Sequence, residues 1–207
     1  MKYLLVIGDG MADNPVPQLH NKTPLQVANI PTIDRMAARG LTGSTVNCPP
    51  PLPAGSETAI LSIFGCDPRR YFTGRSPMEA AAAGIPLLPG DAAFRCNLVT
   101  FEDGGMPLEK KRILSHSAGS IDGDSALESI DVLLSDPRFA EALAGARMEI
   151  HRFPAFRQLA VQHSSDISGI TLIPPHDHLG EEVGPLFPSG NQRAEVFARL
   201  MRLAHAI

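Results

Sequence analysis

The run Tyr3-Leu4-Leu5-Val6-Ile7 is apolar at nearly every position and stops at Gly8-Asp9-Gly10. A continuous apolar run closed by glycine predicts a buried parallel strand. Beyond a Pro/Asn loop the period changes. Thr23-Pro24 opens a short helix, and Pro31 opens another that runs to Gly40, with proline at the first helical position and glycine just past the end. The β-branched stretch Thr42 to Asn47 predicts a second strand. Pro49-Pro50-Pro51-Leu52-Pro53 forces an extended loop, and Ser56 then heads a helix through Thr58, Ala59, Ile60, Leu61 and Ile63. Ser76-Pro77-Met78-Glu79 has the form of a capping box, and Gly84 closes the helix it starts. The first ninety residues thus alternate strand and helix, as an α/β sheet does.

The middle of the chain follows another pattern. Ala93 to Phe101 and Arg112 to Leu114 read as strands about the turn Asp103-Gly104-Gly105, and a helix follows over 124–135 with Leu127, Ile130, Leu133 and Leu134 on one face. Two strand-like stretches, 147–153 and 156–162, flank Pro154, and an amphipathic helix begins near Asn191 with Val196, Phe197, Leu200 and Leu203 as its stripe. The predicted fold class is α/β, with an α/β core over 1–90 and 174–207 interrupted by an inserted α+β module over 91–173.

Composition narrows the function. The chain has 207 residues, Lys+Arg 18 against Asp+Glu 22, and a net charge of -4. That lacks the basic face of a sequence-independent nucleic-acid binder. No apolar run approaches the ~20 residues of a membrane span, and Leu4 to Ile7 is too short for a signal segment. Cys48, Cys66 and Cys96 are odd in number and carry no CxxC spacing, as expected of reduced, mostly buried thiols in a cytoplasmic protein.

Asp9 falls past the end of the first predicted strand, where α/β sheets bind ligands, and a carboxylate there suits Mg²⁺ or Mn²⁺; from spacing alone an Asp capping the turn is the plainer reading. Ser56 follows Gly55 at a helix N-terminus, which suits either a phosphate site or an ordinary helix start. A serine hydroxyl becomes a useful nucleophile only beside a base or a metal. Arg75, Arg95 and Arg157 each sit in apolar or small-residue surroundings and have the fork that matches phosphate and carboxylate; a structural ion pair is the plainer role for any one of them. His176-Asp177-His178 and His116 have no recognisable ligand spacing. No G-x-S-x-G elbow, dinucleotide fingerprint or Walker sequence is present.

Nine segments in one order across residues 1–190 resemble the archaeal-type cofactor-independent phosphoglycerate mutases, of the alkaline phosphatase superfamily. They are Gly8-Asp9-Gly10-Met11-Ala12-Asp13, Lys22-Thr23-Pro24-Leu25, Pro53-Ala54-Gly55-Ser56-Glu57-Thr58-Ala59, Gly65-Cys66-Asp67-Pro68, Tyr71 to Ala80, Gly90 to Leu98, Ala118-Gly119-Ser120-Ile121, Phe156-Arg157-Gln158-Leu159 and Pro174-Pro175-His176-Asp177. The resemblance implies a partial alkaline-phosphatase-like core and a phosphoserine mechanism with two divalent cations, Mn²⁺ or Mg²⁺. It implies that Asp9 and Ser56 bind metal and that Ser56 accepts the phosphoryl group of a phosphoglycerate. Arg75, Arg95, Arg157, His176 and Asp177 would then hold this small phosphorylated acid, under a lid formed by the inserted module. Family members are longer, and their remaining metal ligands follow the point where this chain ends. They also have Gly-Lys where this chain has Gly180-Glu181. The same resemblance leaves a metal-dependent phosphatase, or a non-catalytic relative that binds anions or a partner, as alternatives. It suggests pairing of copies through the face that the second half would cover.

Overall fold

The computed structural model describes residues 1–8 and 10–207; Asp9, named above as a metal ligand, lies outside the described residues. Among them the helices are α1 (Pro24–Val27), α2 (Pro31–Arg39), α3 (Ser56–Ile63), α4 (Pro68–Tyr71), α5 (Arg75–Ala82), α6 (Gly123–Ser135), α7 (Pro137–Gly145) and α8 (Ala194–Ala206). The strands are β1 (Ala92–Asn97), β2 (Thr100–Phe101), β3 (Ile113–Ser115), β4 (Met148–His151) and β5 (Arg157–Gln162).

Local signals in the sequence account for most of the helices. Thr23 caps α1 through a complete capping box with Gln26, and Pro31 and Gly40 bracket α2. At α5 the prediction needs correcting by two residues. Gly74 takes φ 129°, a backbone open to glycine, and becomes the N-cap, so Ser76 lies inside the helix and caps nothing. Helix α7 was not foreseen. Its signal is Asp136-Pro137, a cap followed by proline, hidden because Asp136 also ends α6.

The architecture is mixed α/β built on small antiparallel sheets. One sheet has the order β1-β5-β4, and β2 and β3 form a separate pair. In β1 and β5, Asn97 stands opposite Arg157, Arg95 opposite Leu159 and Ala93 opposite Val161, so these six share one face. On that face Ala80 of α5 packs against Leu159 and Val161. The opposite face brings Phe94, Met148, Ile150 and Ala160 against Phe139 and Leu143 of α7 and Leu200 of α8. The predicted stripe of α8 is present here: Val196, Phe197 and Leu203 join this cluster, and Phe94 meets Phe197 edge-on at 5.0 Å. Two residues before Leu200, on another face of the helix, Ala198 enters a second cluster with Leu108, Ile113, Val183 and Phe187. Helix α8 therefore ties the β2–β3 pair to the three-stranded sheet. Lys111, 8% exposed, closes the β2–β3 turn by donating to the carbonyls of Glu102 and Gly104, both at 2.9 Å.

Two expected strands are absent. Residues 3–7 and 42–47 are not in strands. Their large side chains meet solvent, with Leu4 89%, Val6 79% and Val46 80% exposed. A run that is apolar on both faces is a central strand, which holds its shape only between hydrogen-bonded neighbours. No described segment flanks either run in that way. Of the thiols, all free, Cys66 is exposed, contrary to expectation, whereas burial raises the Cys96 pKa. No helix among the described residues is long and apolar enough to cross a membrane.

Asp136 makes α7 sensitive to acid. Its carboxylate accepts from the backbone and side chain of Arg138, and the Arg138 side chain is the main reason that its pKa falls from 3.8 to about 2. A depressed folded-state value stabilises the protein above the unfolded pKa, and that stabilisation fades as the pH drops toward 2. Melts of the wild type and Asp136→Asn are expected to differ at pH 5 and to converge near pH 2. A constant gap would assign the effect to cap geometry instead of charge.

Candidate active site

Ser56 is the first residue of α3 and lies exposed behind Gly55. Its neighbour Glu57 turns inward, and Glu57 Oε1 lies 2.9 Å from an Arg75 terminal nitrogen. Arg75 opens α5, and one turn later Glu79 accepts from Arg75 Nε at 3.0 Å. Glu79 also takes Arg95 from β1, bidentately: Arg95 Nε donates to Oε2 at 3.3 Å, and a terminal nitrogen donates to Oε1. Full charges on two guanidiniums outcompete the single backbone N–H that a capping box would have offered Glu79. Burial by itself would raise the Glu79 carboxyl, but Arg95 and then Arg75 outweigh it and hold the group ionised below its usual range.

Arg157 completes the group from the first position of β5. Its guanidinium lies over the Phe156 ring, 4.9 Å from the centroid. Its pKa is lowered by partial burial, then by the positive charges of Arg95 and Arg75. Among the described residues no carboxylate pairs with Arg157. Among the described residues the three arginines face two carboxylates, Glu57 and Glu79, which leaves one positive charge in excess there. Three residues scattered over 75–157 thus converge, as the sequence could only suggest.

Two further polar groups border this cluster. Asn97, opposite Arg157 in the sheet, donates to the His116 carbonyl at 3.4 Å, and its buried Oδ1 has no partner among the described residues. The buried Nδ1 of His116 has none among them either, while its ring meets Phe156 at 6.1 Å and His176 at 6.3 Å. Sequence reading gave Asn97 no role and left His116 open. Strand alternation from Arg95 was the available signal for Asn97. His176 therefore reaches the edge of the cluster through His116. Asp177 does not: it is largely exposed, and among the described residues it pairs only with His176, at 3.4 Å.

No three His, Cys, Asp or Glu side chains among the described residues converge in a way that would hold a metal ion.

These features define an α/β protein with a cluster of three arginines and two glutamates beside a helix-initial serine. A model of the family described as 2,3-bisphosphoglycerate-independent phosphoglycerate mutase matches residues 37–207. The chain belongs to that family. It is 39% identical over 201 residues to 2,3-bisphosphoglycerate-independent phosphoglycerate mutase 2 of Methanothermobacter thermautotrophicus, covering 97% of this chain and 46% of the relative. To the mutase of Methanosarcina acetivorans it is 39% identical over 207 residues, 100% of this chain and 49% of the relative. The solved cofactor-independent phosphoglycerate mutase of Thermoplasma acidophilum is similar at 26% identity and a TM-score of 0.48, over 95% of this chain and 49% of that one. The chain spans about half the length of the curated relatives it matches.

Proposed function

We propose that this chain carries the phosphoryl-accepting serine and the substrate-anion site of a phosphoglycerate mutase. The observation that carries this reading is the convergence of Arg75, Arg95 and Arg157, with Arg157 lacking a carboxylate partner among the described residues and repelled by the other two. An arriving phosphate or carboxylate relieves that repulsion and finds paired donors. Phosphoryl transfer asks mostly for positioning and charge neutralisation. In the proposed reaction Ser56 Oγ forms the new P–O bond as the bond to one glycerate oxygen breaks. The other glycerate hydroxyl then takes the phosphoryl group back, interconverting 2- and 3-phosphoglycerate. His176 belongs to the rim, and the module over 91–173 is the proposed cover that excludes water. The family resemblance carries a requirement for divalent cations, Mn²⁺ or Mg²⁺, with Asp9 as a proposed ligand.

The exposed position of Ser56 favours a second reading, hydrolysis of the phosphoserine by water. Labelled water separates the two, because only hydrolysis places its oxygen in released phosphate. The direct test of the nucleophile is peptide mass spectrometry after incubation with 3-phosphoglycerate and Mn²⁺. A phosphoryl adduct is expected on the peptide containing Ser56 and not in Ser56→Ala. An adduct on another residue, or turnover by Ser56→Ala, removes Ser56 from the role.

A further inference from the structure

We propose that Glu79 is a positioning residue of the anion site, holding Arg95 and Arg75 as a preset fork so that Arg157 is left to meet the incoming charge. The proposal rests on the anion-site reading and adds to it a residue that touches no substrate.

Three observations support it. Glu79 spends both oxygens on arginines from two different elements: Oε1 accepts from Arg75 Nε at 3.0 Å and from Arg95, and Oε2 from Arg95 Nε at 3.3 Å. Glu57 restrains Arg75 from the other side, on the residue next to Ser56. Helix stability does not explain the placement. An Arg that precedes Glu by four positions is the weaker order for a helical pair, and Glu79 closes no capping box. What the carboxylate does is fix the directions of two long, flexible cations that otherwise repel each other and Arg157. Donors aligned before the ligand arrives lose less freedom on binding it.

The sign of one mutation separates positioning from plain charge. Glu79→Gln removes a negative charge from an anion site, so charge alone predicts tighter phosphate binding. Positioning predicts weaker binding, by about tenfold. The experiment titrates inorganic phosphate calorimetrically into the full chain, Glu79→Gln, Glu79→Asp and Arg157→Ala. Nitrogen-15 spectra follow the exchange protection of the arginine Nε–H groups. Expected results are weaker binding and loss of Arg95 Nε–H protection in Glu79→Gln, with partial recovery of both in Glu79→Asp. Binding by Glu79→Gln as tight as wild type, or tighter, overturns the proposal while leaving the anion site intact. If Glu79→Gln does not fold, Glu79→Asp carries the test, since it keeps the charge and shortens the reach; unchanged affinity there overturns the proposal as well. Failure of the wild type to bind phosphate, or full binding by Arg157→Ala, instead sinks the anion-site reading and takes the role of Glu79 with it.

Discussion

Replacing Arg157 by glutamate is expected to abolish phosphate binding while leaving the fold in place. Arg157 is exposed at the first position of β5 and makes no ion pair among the described residues, so the folded chain gives up little beyond its contact with Phe156. For a bound anion the change is large. Charged hydrogen bonds of about 1.5–3 kcal/mol are lost, and a like charge now faces the ligand, at a cost of several kcal/mol. The excess at the cluster reverses from one positive to one negative charge. Together these amount to roughly 4 kcal/mol, or about a thousandfold in Kd. Arg157→Lys keeps the charge and loses the fork, and is expected to weaken binding by about tenfold. Calorimetry with phosphate and 3-phosphoglycerate, alongside thermal melts, checks both variants. Wild-type affinity in Arg157→Glu places Arg157 outside the site.

Gln158→Leu is expected to produce the largest loss of stability. Gln158 is 2% exposed, and its amide is a clamp on the loop between β4 and β5. Its Oε1 accepts from Phe153 N at 2.7 Å, and its Nε2 donates to the carbonyls of Phe153 at 3.2 Å and Ala155 at 2.6 Å. Leucine fills a similar volume but removes these three bonds, leaving the Phe153 carbonyl its bond from Ala155 N while Phe153 N and the Ala155 carbonyl lose the partner that Gln158 gave them. Three hydrogen bonds at about 1 kcal/mol each, plus the penalty for unpaired groups, give roughly 3–5 kcal/mol. For a chain of this size that lowers Tm by on the order of 10 °C. The loop also delivers Phe156 and Arg157 to the site, so phosphate binding is expected to weaken in the same variant. An unchanged melt would show that the loop holds its shape through its turn alone.

The helices were the legible part of this chain. Thr23-Pro24, Pro31 with Gly40 and the stripe of α8 are local signals, complete within a few residues, and each produced the helix it announced. Strands β1, β4 and β5 were likewise found, because Pro154 and the glycines around them mark the turns. The runs 3–7 and 42–47 failed for a different reason. Their apolar composition says that they suit a sheet interior, but a strand exists only by pairing, and nothing described here pairs with them. Glu79 illustrates the same limit within the site. Its neighbourhood in sequence spells a capping box, and its neighbourhood in space contains two arginines whose charge is worth more to it than a helix terminus.

By itself the sequence determined where many of the turns fall, most of the helices and which side chains have suitable chemistry: Ser56 heading its helix, and three arginines with forks suited to anions. All of these are properties of residue type and short-range spacing. Only the tertiary structure decided that Arg75, Arg95 and Arg157 belong to one cluster, that two carboxylates neutralise only part of it, and that Asn97 and His116 bring unpaired polar atoms to its edge. The register of β1 against β5 and the seating of α5 on their shared face make those decisions. They depend on contacts between residues far apart in the chain, which no local pattern encodes.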